Sequence, residues 1–65
     1  METGAVIERG RVLTAEAGAY TVASLDRDGI QSLPIGALSD NTYTVGDTVY
    51  FFLFPDGTGK IISGA

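Results

Sequence analysis

Short β-branched or aromatic runs, whose side chains fall on alternate faces with a period of two, lie between nine glycines that punctuate the chain at regular intervals. That pattern predicts short β-strands joined by tight turns. We expect five strands. The first covers residues 6–15, with Gly10 inside it marking a bulge or a bend, and Glu16-Ala17-Gly18 closing it as a turn. The second covers residues 19–26, with Tyr20 and Val22 on its inward face. Asp28-Gly29 offers the positive-φ positions of a tight hairpin. A third strand follows over residues 30–35, where Pro34 lacks a backbone donor and points to an edge or a bulge. The alternation then lapses, and Ala37-Leu38-Ser39-Asp40-Asn41 fits either a single helical turn or an irregular loop.

The strongest element is the fourth, residues 48–54. Val49, Phe51 and Leu53 share one face, and Tyr50, Phe52 and Phe54 share the other. A strand apolar on both sides is suited to water on neither. One face must line the core, and the other needs cover from a loop, a tail or a second molecule. Pro55-Asp56-Gly57-Thr58-Gly59 reads as the next turn, and residues 60–63 as the closing strand. Five short strands suggest a single all-β domain over residues 1–65, a small barrel that is OB-fold-like or, alternatively, SH3-like. Val12, Val22, Val49, Phe51, Leu53 and Ile61 are its expected core.

Length sharpens the argument. A chain of 65 residues buries only about 60% of its extended surface. Small scaffolds add disulfides, a metal or oligomerisation to make up the deficit. With no Cys and no His, disulfides and the common zinc sites are excluded, which leaves self-association. Neither a basic n-region nor an apolar stretch marks Met1-Glu2-Thr3-Gly4 as a secretory signal. No apolar run approaches a membrane span, and a cytoplasmic location is expected.

A net charge of −4 repels phosphate backbones and anionic lipid. A nucleic-acid reading would need Arg9, Arg11, Arg27 and Lys60 to converge beside exposed aromatics such as Tyr43. Aromatics dominate protein cores and interfaces alike, and Tyr50, Phe52 and Phe54 are the expected protein-contact residues.

Chemistry is sparse. Asp26-Arg27-Asp28-Gly29 has the look of a calcium loop but lacks the upstream and distal acidic ligands, so it reads as a turn with solvated charges. In Pro55-Asp56-Gly57-Thr58-Gly59-Lys60 the glycines, threonine and lysine are not in phosphate-loop order, and a strand follows. Asp47, between Gly46 and Thr48, is placed to accept backbone hydrogen bonds ahead of the apolar strand. With no base beside any Ser or Thr, no catalytic residues, cofactor or metal are expected, and the protein is read as not an enzyme. Glycine-rich loops, Tyr and Asp leave a sugar- or small-ligand-binding barrel open.

Gly10-Arg11-Val12, Tyr20-Thr21-Val22, the run from Tyr43-Thr44-Val45-Gly46-Asp47-Thr48-Val49 to Leu53, Asp56-Gly57 and Ile61-Ile62-Ser63-Gly64 together resemble the OB-fold domains of contractile-tail phage baseplate and spike proteins. The likeness covers residues 10–64. It implies a minimal, prophage-encoded and virion-associated barrel that acts structurally by assembling with itself or with other structural proteins. Spike proteins continue into a long β-helical or tip region that is not among these residues, so a stand-alone barrel is the expectation, and the middle segment has little room for the usual helix. No catalytic residue is implied.

Overall fold

The structure, a computed structural model, describes residues 6–38 and 40–65; the readings of Met1-Glu2-Thr3-Gly4 and of Ser39 fall outside them. Among the described residues there is no helix, and five strands form one curled sheet: β1 (Val6–Glu16), β2 (Ala19–Ser24), β3 (Gly36–Ala37), β4 (Thr48–Leu53) and β5 (Gly59–Gly64). The sheet order is β2-β1-β4-β5-β3, antiparallel except for the parallel β3–β5 pair. Residues 30–35 return to β2, where Tyr20 and Ile35 exchange backbone bonds of 2.7 and 2.8 Å and Ala23 bridges to Gln31. That contact brings the two ends of the sheet together into a barrel-like curl.

Period-two patterning places the core as expected. Val12, Val22, Val49, Phe51, Leu53 and Ile61 are all buried, joined by Tyr20, Ile35 and Tyr43. Each large side chain removed from water in this way contributes on the order of 1.5–3 kcal/mol.

The third strand departs from expectation. Residues 30–35 form two isolated bridges, and only Gly36–Ala37 is a strand. Pro34 has no donor, and the segment divides its remaining hydrogen bonds between two neighbours. Ser32 N–H donates to Val22 O, and its buried hydroxyl accepts from Val22 N–H at 2.9 Å. Leu33 N–H turns the other way, to Gly57 O. A segment bonded alternately to both sides hands over from β2 to β5 without pairing continuously to either.

The bulge in β1 is also displaced. Register slips between Val12 and Thr14, leaving Leu13 as the extra residue. Gly10 answers to packing instead. A Cβ there would strike the Val22 and Phe51 side chains and the Ala23 carbonyl. In β5 a second slip leaves Ile62 extra, opposite the Tyr50–Phe51 step. Residues 38 and 40–44 are irregular rather than helical.

Candidate functional site

Alternation along β4 that buries Val49, Phe51 and Leu53 necessarily sends Tyr50 and Phe52 outward. Tyr50 is 42% exposed, Phe54 just past the strand is 39% exposed, and Phe52 lies half-buried between them. The Phe52 and Phe54 rings meet edge to face, 5.7 Å between centroids. Opposite Phe52 on β1 stands Ile7, 69% exposed. The residues expected to form a contact surface therefore adjoin one another, extended by an isoleucine that the sequence reading did not single out. Its signal was present: Ile7 falls one step out of phase with Gly10 and Val12.

Cations border this face. Arg9 pairs with Tyr50 across β1 and β4, Arg11 with Thr48, and Lys60 with Phe52 across β4 and β5. Three of the four basic residues thus share the outer face with Tyr50 and Phe52. Their charge is not all free. Arg9 is tied to Asp26, whose Oδ1 accepts from Nη2 at 3.0 Å while Oδ2 accepts from the Arg9 backbone N–H at 2.9 Å. These bonds, the backbone one foremost, hold the Asp26 carboxyl below its ordinary range.

Arg27 lies apart from that face. Its Nε and Nη2 donate to the two oxygens of Glu8 at 3.0 and 2.6 Å, and the Ser24 hydroxyl donates to Glu8 Oε1 at 2.5 Å. Glu8 follows the inward phase of Gly10 and Val12, so its carboxylate is drawn into the barrel end, 2% exposed. The Arg27 fork lowers its pKa, partly offset by burial. Two of the turn charges expected to be solvated are therefore partnered, Asp26 holding β1 and Arg27 the buried Glu8, while Asp28 is exposed. Glu8 was not anticipated, although its phase alone would have marked it as an inward carboxylate in need of a cation.

Tyr43, proposed as an exposed stacking residue in the nucleic-acid reading, is instead in the core. Its ring meets Tyr20 edge to face at 5.6 Å, and its backbone N–H donates to the Tyr20 hydroxyl at 3.2 Å. Val45, two residues on, is exposed instead. Asp47 does the local work expected, accepting from Thr44 N–H at 3.0 Å. Asp56 accepts from Thr58 hydroxyl and N–H, which lowers its pKa and shapes the β4–β5 turn.

Among the described residues no three potential metal ligands cluster, and no helix is long and apolar enough to cross a membrane. No protein-family model matches the chain, nor does any curated protein or solved structure.

Proposed function

We propose that this chain is a non-enzymatic OB-type barrel, a phage- or prophage-derived structural or adaptor module that works by protein–protein assembly through the outer face of β4. The observation that carries this is the run Tyr50, Phe52, Phe54 with Ile7 alongside, an apolar surface left uncovered on the sheet's outer side. Contiguous apolar surface rimmed by polar groups is characteristic of interaction sites. Strand order supports the OB assignment over the SH3-like one: β1-β2, then residues 30–37 against both β2 and β5, then β4 back to β1, with β3 parallel to β5. Partners are further copies of this chain or other structural proteins of the same assembly, at a cytoplasmic or virion-associated location.

Sedimentation equilibrium over a rising concentration series tests the reading. Reversible growth in mass supports it, and a fixed monomer mass at hundreds of micromolar counts against self-association.

One observation favours a second reading, a nucleic-acid-binding module: Arg9, Arg11 and Lys60 share a face with exposed Tyr50. Against it stand the net charge of −4, the pairing of Arg9 and Arg27 with acids, and the burial of Tyr43. Oligonucleotide titration separates the two, since phosphate binding must weaken steeply with salt.

A further inference from the structure

Hydrogen bonds lace residues 33–38 to the β4–β5 hairpin in sequence: Leu38 N–H to Ile61 O, then the Gly36–Lys60 pair, then Leu33 N–H to Gly57 O at 2.9 Å. One step further along, at Gln31, the lacing stops. Ile30 O and Ser32 N–H on either side of Gln31 bond to β2. In extended chain the intervening N–H and C=O point to the opposite edge, as the Leu33 N–H does. Gln31 therefore turns one donor and one acceptor toward the hairpin, and no described residue takes them. A recess of about 290 Å³ opens at that point, with Arg27, Ile30 and Gln31 on one wall and Leu53, Phe54 and Pro55 on the other.

We propose that this gap in the seam binds an extended, uncharged peptide segment of a partner protein, which pairs its backbone with Gln31 and places one apolar side chain in the recess. The argument for a peptide lies in the donor set. A backbone N–H and C=O side by side on one strand edge match another strand's amide, as in β-augmentation. A carboxylate would use the N–H and leave the carbonyl unmet. Charge points the same way. Arg27, the one cation of the lining, spends Nε and Nη2 on Glu8, so the site has no net positive charge to hold an anion. Its Nη1 makes no hydrogen bond to a described residue, which leaves a donor for a peptide carbonyl. Ile30, Leu53, Phe54 and Pro55 supply the apolar part. This goes beyond the β4 face, which binds through side chains; only Phe54 belongs to both.

The test is a titration of the full chain with the blocked peptide acetyl-Ser-Thr-Phe-Thr-Ser-amide, followed by amide NMR at protein concentrations too low for self-association. Saturable shifts centred on Gln31, Ile30 and Phe54 are expected. Two changes should each weaken binding at least tenfold: Gln31→Pro, which deletes an N–H that bonds to no described residue, and N-methylation of the peptide's central residue on the wild-type protein. Absence of saturable shifts overturns the proposal. So does equal binding of the N-methylated peptide, or equally tight binding of hydrocinnamate, which would make the ligand an apolar carboxylate. The sedimentation series reads the β4 face independently, so either surface can fail alone.

Discussion

Arg27 grips the Glu8 carboxylate with two parallel donors, Nε at 3.0 Å and Nη2 at 2.6 Å, yet the two residues occupy very different surroundings. Glu8 is 2% exposed and Arg27 43% exposed. Loss of either partner therefore has unequal consequences. In Arg27→Ala the carboxylate stays buried with only Ser24 to satisfy it, at a cost of about 2–3 kcal/mol. In Glu8→Gln the freed guanidinium swings into water, and the cost is about 1–2 kcal/mol. Chemical denaturation of both variants should give that order.

The same pair sets a pH dependence. Glu8 has a folded pKa below its unfolded value of about 4.3. Its contribution to stability is thus complete above pH 4.3 and is lost as pH falls through the folded pKa. Thermal melts from pH 6 down to pH 2 should show an acid decline that is shallower in Glu8→Gln. An identical decline in both proteins would assign the effect to other carboxylates, Asp26 and Asp56 being the foremost.

Gly10 lies where β1 crosses the core beneath Phe51 and Val22. Gly10→Ala should destabilise by about 1–3 kcal/mol through overpacking, measured as a fall in the denaturation midpoint. Gly18 offers the contrast within the same hairpin, for a Cβ there meets nothing within 4 Å and only its φ of 81° resists substitution.

Ala17 and Gly18 form the β1–β2 turn with φ of 50° and 81°. This is the twist of a type I′ turn, for which Asn-Gly is the preferred sequence. An alanine in the left-handed region costs about 1–2 kcal/mol. Ala17→Asn should therefore raise stability by about 1 kcal/mol, seen as a higher melting temperature, with no change in association.

Tyr20 and Tyr43 touch in the core but use their hydroxyls differently. The Tyr20 hydroxyl accepts the Tyr43 N–H, whereas the buried Tyr43 hydroxyl has no partner among the described residues. Tyr20→Phe should cost about 1 kcal/mol or more, and Tyr43→Phe should be neutral or stabilising. Equal losses in paired denaturation curves would contradict that asymmetry.

The limits of the sequence reading follow from the same residues. Alternation named all six expected core residues, because period two needs only the local chain. The turns at Gly18 and Gly57 were equally legible from residues that tolerate positive φ, whereas the tight hairpin expected at Asp28-Gly29 is a longer connection over residues 25–29, closed by the Ser24 N–H bond to Ile30 O, in which Gly29 but not Asp28 has positive φ. Non-local choices were not. That Ser32 would lend its hydroxyl to Val22, or Arg27 reach back to Glu8, depends on which strands curl together, and no local pattern carries that. Tyr43 was misplaced for the same reason: it lies in an irregular connection where periodicity says nothing, and Tyr20 on another strand draws it inward. Of the candidate face, Tyr50, Phe52 and Phe54 were visible in the strand's own phase, while Ile7 and the bordering cations joined it only through the β1–β4 and β4–β5 registers.

The central claim is that the outer face of β4 is an assembly surface, and sedimentation velocity of the wild-type chain beside Ile7→Lys and Tyr50→Lys tests it most directly. Both substitutions sit at exposed positions and reduce the net negative charge, so general repulsion cannot explain a loss of association. We predict that the wild type forms a larger species reversibly with concentration and that each variant sediments as a monomer. A wild type that stays monomeric at hundreds of micromolar, or variants that associate as strongly as it does, would contradict the account.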